Sequence, residues 1–171
     1  MNKLISIEAN YLADTLQSDL TKKTIWKNVG IVSHNLPLIA TLSVCENIML
    51  PLQYFENMKD HQAETIVSSL LSKFEMGRTI YYKPKKLNDY EIVIAKFLRA
   101  IIREPKQVFF ILPHKMIPME EYEKFVYFIQ SINDFNIVIV EHSRYIYEYS
   151  DTNFMEIPYQ QWQTLVLKTL K

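Results

Sequence analysis

Two side chains of catalytic type stand together in this sequence, Glu141 and His142. A carboxylate beside an imidazole suits proton transfer or a metal. The run NIVIVEH reads as the end of a strand, however, and adjacent strand side chains point to opposite faces. No third ligand follows at metal-site spacing. The lone cysteine, Cys45, excludes an internal disulfide and a Cys-based zinc site. No metal and no cofactor is therefore expected. Phosphate chemistry is limited by glycine, the residue that lets a backbone wrap closely around an anion. The chain has only Gly30 and Gly77, where average usage would give about a dozen. Neither G-x-x-x-x-G-K-[ST] nor G-x-G-x-x-G can be written.

The 171 residues fit one domain, 1–171, large enough for a hydrophobic core without staples. At 49% hydrophobic, 13% aromatic and 22% charged, the composition is that of a globular chain. Nineteen basic residues balance 19 acidic ones, against what a general nucleic-acid binder needs. No run approaches the ~20 apolar residues of a membrane span. The N-terminal MNKLISIEANYLAD lacks a signal-type apolar region. A cytoplasmic location is expected, with any membrane link made through a partner.

The elements that position these groups can be read from periodicity. Residues 3–8 and 28–33 read as strands, and 107–112 and 136–141 as strands covered on both faces. Residues 10–26 are mixed, with a short helix opening near Asp19. Ser43 caps a helix from Val44 to about Phe55, with Glu46 completing a capping box and Pro51 kinking or ending it. Ala63, Ile66, Val67, Leu70, Leu71 and Phe74 mark one face of a helix over 60–75. Asp60 is its expected cap and Gly77 its stop. Residues 89–104 form a helix apolar nearly all round, ended by Pro105. Tyr122, Phe125, Val126, Ile129 and Ile132 mark another. A short helix over 143–150, a strand over 153–157 and a helix over 159–170 complete the chain. The fold class is α/β, three layers with a mostly parallel sheet, interrupted by a helical block over about 43–104.

Several segments together resemble the nucleotide-binding domain (ATPase subunit) of ABC transporters, from Val29 to Glu156. GIVSHNLPLIATLSVCENIMLPLQY, residues 30–54, is similar to the family's glutamine loop and its L-T-V-x-E-N-(apolar)-x-L-P-L continuation. The ENIMLPL run resembles members that serve lipid transport, lipoprotein release and the cell-division pair FtsE–FtsX. Pro84 to Leu87, then Leu98 to Ile101, Pro105–Lys106 and Pro113 match the family's signature segment, A-R-A-L, P-K and the proline of D-E-P in one ungapped register. VIVEH matches the strand ending in the switch histidine, and Ser150–Asp151 match its A-D.

The resemblance implies a P-loop-NTPase-like fold, degenerate and N-terminally truncated, without the Walker A strand and helix. Residues 1–28 would then be the strand and connector after that helix, and the sheet would lack a central element. It also implies that the nucleotide-site positions are vestigial. His34 stands for the glutamine that helps hold Mg²⁺. Asn88, Asp89, Tyr90 and Glu91 stand in the LSGGQ signature, where Asp89 repels phosphate and Asn88 with Glu91 suits a capping box. Ile111 replaces the Mg²⁺-holding aspartate and Leu112 the catalytic glutamate. Neither can ligate a cation or position a water. His142 is the one catalytic-type residue kept, expected to cap the strand end or bond Glu141 or Asp151.

The expected function follows from that resemblance: no enzyme, but a pseudo-ATPase subunit that scaffolds or regulates a permease complex of lipid-transport or FtsEX type. It would sit on the inner face of the cell membrane. The partners implied are an integral membrane permease and a second copy or a true ATPase, with no nucleic acid and no direct membrane insertion. Leu36, Leu42, Leu50, Pro51 and Tyr54 are the candidate permease contacts. Alternatives are a composite ATP site shared with a true ATPase, or a soluble adaptor with no membrane partner.

Overall fold

The computed structural model describes residues 2–8, 10–21 and 28–161. Five strands form one sheet: β1 (Lys3–Ile7), β2 (Val29–Ser33), β3 (Gln107–Ile111), β4 (Asn136–His142) and β5 (Met155–Pro158). Their order is β2-β3-β4-β1-β5 and every pair is parallel. The helices are α1 (Asn10–Leu20), α2 (Val44–Glu56), α3 (Asp60–Lys73), α4 (Asp89–Ile101) and α5 (Tyr122–Ser131).

The near-continuous apolar strands bury side chains on both faces, as parallel sheets require. Leu4, Val32, Val108, Phe110, Ile137 and Ile139 join one core with residues of α2 to α5. Ile5, Ile7, Phe109, Ile111, Val138 and Val140 join the other, with Ala13, Leu16 and Leu20 of α1. Helices therefore cover both faces, giving the expected three-layer α/β architecture.

Residues 1–28 depart from expectation. β1 is an inner strand, paired with β4 on one side and β5 on the other, so no inner element is missing from the sheet. Only Glu8 and Ala9 separate it from α1. The spacing of Ala13, Leu16 and Leu20 is the helical signal there. The helix anticipated at Asp19 ends instead at Leu20, and residues 22–27 lie outside the described part. So does the final helix beyond residue 161.

Both expected capping boxes form. Ser43 Oγ accepts from the Glu46 amide (3.2 Å) while Glu46 accepts from the Ser43 amide (2.5 Å). Asn88 Oδ1 accepts from the Glu91 amide (2.8 Å) and Glu91 from the Asn88 amide (3.1 Å). α2 runs through Pro51 to Glu56 without ending. In α3 the N-cap is Lys59, and Asp60 takes the first helical position.

Scarce glycine has a visible backbone consequence. Among the described residues the left-handed positions are taken by Asn57, Glu75, Glu104 and Leu112, and by no glycine. Glu75 (φ 58°) turns the chain after α3, not Gly77. A Cβ on Gly77 would meet nothing closer than Ser72 Oγ at 3.5 Å. Gly30 is different: its Cβ would lie 2.7 Å from the Ala100 carbonyl oxygen. Its bareness lets α4 press onto β2.

Candidate functional site

The strand register gathers the vestigial positions at one edge of the sheet. Ser33 pairs with Ile111, Ile111 with Val140, and Ile7 with His142. The carboxyl ends of β1 to β4 thus bring Glu8, His34, Leu112 and His142 to the edge where open α/β sheets take ligands. What stands there is largely apolar. Ile111 and Leu112 are 2% and 4% exposed. Leu112 sits in the left-handed region (φ 51°, ψ 60°), unusual for a bulky side chain. His34 is exposed. His142 is half-buried, and its Nδ1 accepts from the Arg144 amide at 3.3 Å. It caps the 3₁₀ turn Ser143–Tyr149, with neither Glu141 nor Asp151 as its side-chain partner.

The polar group of this edge is Glu141, fully buried. Its carboxylate accepts from Tyr122 Oη (2.6 Å) and from the amides of His142 (2.8 Å) and His114 (3.3 Å). It also pairs with His114 Nδ1. Tyr149 Oη bonds Tyr122 Oη at 2.7 Å, and the His114 ring stacks on Tyr145 at 4.4 Å. Burial first pushes both Tyr122 and Tyr149 well above the ordinary phenol range, followed for Tyr122 by the adjoining Tyr149 and then Glu141, and for Tyr149 by Glu141. These tyrosines are held as neutral donors. The network leaves no buried polar side-chain atom without a partner among the described residues. Of the options for His142, a side-chain bond to Glu141 is not the one adopted. The imidazole partner of Glu141, His114, is 27 positions away.

The signature segment is self-satisfied too. The capping box engages the amides of Glu91 in α4 and of its cap Asn88, and Arg78 pairs with Glu91. Asp89 is exposed in the first turn. Tyr90 turns back onto the body, edge-on to Phe128 (6.2 Å), with Lys124 Nζ over its ring at 4.0 Å.

The loop after β2 is held by side-chain donors. Lys96 Nζ of α4 donates to the Ser33 carbonyl (3.0 Å). Arg99 donates to the carbonyls of Leu36 (2.7 Å) and Pro37 (2.9 Å). Asn47, fully buried on α2, accepts from the Ile39 amide (2.7 Å) and donates to the carbonyls of Ile39 and Leu42. Lys83 holds the Thr41 carbonyl (2.8 Å). From α1, Gln17 and Asp14 bond Ser33 and Asn35. Lys96 is almost fully buried, and desolvation, then Arg99, pulls its pKa down to about 8. Its charge inside the apolar run IVIAKFL was the available signal for this role.

Beside the loop lies a groove of about 460 Å³. Its floor is the edge strand β2, and its walls carry Leu36, Pro37, Pro51, Phe55, Arg99 and Arg103. Of the candidate contacts, Leu36 and Pro51 line it. Leu42 and Leu50 are half-buried elsewhere, and Tyr54 is exposed with its ring edge-on to Phe55 at 4.7 Å.

This geometry can be set against known proteins. No protein-family model matches the sequence. The chain superposes on a dimeric post-hydrolysis structure of the ATP-binding cassette MJ0796 bound to ADP and phosphate. The TM-score is 0.63 at 16% identity, over 85% of this chain and 76% of that one. It matches an inward-facing metal-chelate-type ABC transporter with TM-score 0.65 at 14% identity, over 81% and 61%. The fold is that of an ABC ATPase domain. In sequence, 120 residues are 24% identical to the macrolide export ATP-binding/permease protein MacB of Syntrophobacter fumaroxidans. That match takes in 68% of this chain but spans only 17% of the relative. No described helix is long and apolar enough to cross a membrane.

Proposed function

We propose that the chain is a non-catalytic ABC-type subunit that scaffolds or regulates a membrane permease complex. The observation that carries this reading is the end of β3. Ile111 and Leu112 stand, buried and apolar, where the resemblance puts the Mg²⁺-holding aspartate and the catalytic glutamate. Phosphoryl transfer is almost entirely positioning and charge stabilisation, and hydrocarbon side chains supply neither. In the same reading β1 and α1 stand for the strand and helix that flank a phosphate loop. The two residues between them leave no room for the eight-position motif.

On this reading the helices over 43–104 form the family's helical subdomain. His34, Asn88, Asp89, Tyr90, Glu91, Ile111, Leu112 and His142 are its vestigial site, and no cofactor is used. The groove beside the loop after β2 is the docking place for the permease, with Leu36 and Pro51 as contacts. The MacB name joins an ATP-binding part to a permease, which supports a membrane partner of this kind. The ENIMLPL run favours the lipid-transport and FtsEX-like group. The subunit then works on the cytoplasmic face of the membrane, as a homodimer or beside a true ATPase.

Thermal unfolding with and without Mg²⁺–ATP tests the central claim. A ligand at 100 times its Kd stabilises by about 2.7 kcal/mol, which moves the midpoint by several degrees. The expected shift is none. A clear ATP-dependent rise would overturn the reading. Capture from membranes is expected to recover a permease, and a heterodimer whose ATPase falls on Asp89→Ala would point instead to a composite site.

A further inference from the structure

A separate cavity of about 470 Å³ lies at the opposite edge of the sheet, where the strands begin. Five of its eight described lining residues carry carboxamides: Asn2, Gln130, Asn133, Asn136 and Asn153. Asn2 precedes β1, Asn136 opens β4, Asn153 precedes β5, and Gln130 and Asn133 flank the end of α5. Phe135 and Phe154, both packed against the main core, supply an apolar wall. Among the described residues, no charged side chain lines the cavity. Asp134, next in sequence to Asn133, is paired with Lys73 (3.2 Å).

The backbone fixes how these carboxamides face. Asn2 Oδ1 accepts from the Ile137 amide (3.0 Å), tying the start of β1 to β4. Gln130 Nε2 donates to the Asp151 carbonyl (3.5 Å), Asn133 Nδ2 to that of Ser131 (3.3 Å) and Asn136 Nδ2 to that of Lys106 (3.4 Å). A carboxamide has an acceptor end and a donor end. Asn2 spends its oxygen on the backbone and keeps its NH₂ to donate. Gln130 and Asn133 spend their nitrogens and keep their oxygens to accept. Asn153 is exposed and keeps both ends, with no side-chain partner among the described residues. The cavity thus offers donors and acceptors together, without net charge.

That mixture selects among ligands. A carboxylate only accepts and an ammonium only donates, so either leaves part of this set unmet. Either also gives up hydration for a site with no counter-charge. A hydroxyl both donates and accepts. A sugar ring carries several hydroxyls on its rim, and its C–H faces suit an apolar wall such as Phe135 and Phe154. The volume falls within the range of about 300–1,000 Å³ usual for small-molecule sites. We propose that this cavity binds a small neutral carbohydrate. The proposal is independent of the docking role above and of the vestigial positions at the other edge.

Amide NMR spectra of the full chain, titrated with glucose, maltose, glucuronate and adenosine, test this. Glucose or maltose should give saturable shifts at the amides of Asn133, Asn136 and Asn153, with millimolar affinity. About a dozen non-hydrogen atoms at ordinary ligand efficiency give binding of that order. Glucuronate, a sugar with a carboxylate, should bind at least about fivefold more weakly than glucose, because its charge goes unpaired. Asn153→Ala should weaken sugar binding about threefold to tenfold, the worth of one hydrogen bond. Its exposed side chain bonds nothing among the described residues, so the variant should keep the native melting temperature. No saturable shift with either sugar, or shifts confined to the carboxyl ends of the strands, overturns the site. Glucuronate bound as tightly as glucose overturns the selection for a neutral ligand. Adenosine bound more tightly than both sugars makes this a base-recognition set and overturns the carbohydrate. Undiminished sugar binding by folded Asn153→Ala overturns recognition through the carboxamides.

Discussion

The loop after β2 and the loop after β3 leave the same edge of the sheet, yet they are held in opposite ways. Residues 33–42 are fixed by side chains that reach their backbone: Lys96, Arg99, Asn47 and Lys83. Leu36 and Pro37 of this loop face a groove. After β3 the roles are reversed. Ile111 and Leu112 are buried, and the polar side chains nearby bond one another through Glu141. One loop is built to present a surface. The other places buried apolar side chains at the edge where open α/β sheets take ligands.

The sharpest way to break this contrast is at Glu141. His114→Ala removes the imidazole from a fully buried carboxylate. Glu141 keeps Tyr122 and two backbone amides, so the loss of one buried hydrogen bond to its carboxyl group costs about 1.5–3 kcal/mol, to be read from denaturant unfolding. Hydrogen exchange in the loop after β2 should be unaffected in the folded variant. A loss under about 1 kcal/mol would mean that the edge after β3 is wet, not core.

Lys96 provides the next effect, and it depends on pH. Its folded pKa is about 8, below the ordinary lysine value. Between pH 8 and about 10.4 the unfolded chain holds a proton that the folded chain has released. Stability from this group therefore rises with pH across that window and is lowest, and flat, below pH 8. At about 1.4 kcal/mol per unit the span is up to about 3 kcal/mol. Lys96→Met should be more stable than the native chain near pH 7, and the difference should shrink toward pH 10. The raised pKa values of Cys45, Tyr122 and Tyr149 push stability the other way at alkaline pH. They are common to both chains, so the difference between them isolates Lys96.

Asn47→Ala addresses the presenting loop. It leaves the Ile39 amide and the Ile39 and Leu42 carbonyls without their side-chain partner. Buried unmet groups of this kind cost about 2 kcal/mol. Hydrogen exchange at Ile39 should accelerate more than exchange in β3. Equal acceleration would show that the loop opens only with the whole domain.

How much of this contrast could be read beforehand follows from interaction range. The capping boxes at Ser43–Glu46 and Asn88–Glu91 lie within one helical turn, so their spacing shows in the sequence. The apolar strands and the one-faced helix α5 show for the same reason. Glu141 and His114, or Arg99 and Leu36, meet only because β3, β4 and α4 pack as they do. The place of β1 was misread because pairing order leaves no local trace. α1 was missed because its apolar stripe is short, with Ala13 as one of three buried contacts. Tyr90 packs on α5, a tertiary contact with Phe128 that no spacing announces.

The smallest expected effect separates strain from packing at the left-handed positions. Glu75 is exposed, so Glu75→Gly relieves its backbone and loses little else. Stabilisation of about 0.5–1 kcal/mol is expected, seen as a higher melting temperature. Leu112 has the same backbone sign but is 4% exposed. Leu112→Gly gains a similar backbone term and gives up about 2–3 kcal/mol of side-chain burial. It should end about 1–2 kcal/mol less stable. If Leu112→Gly proved the more stable of the two, the strain after β3 would outweigh its packing. The residue would then be a relic of a conformation set by the old site, and the edge after β3 would not be core by construction.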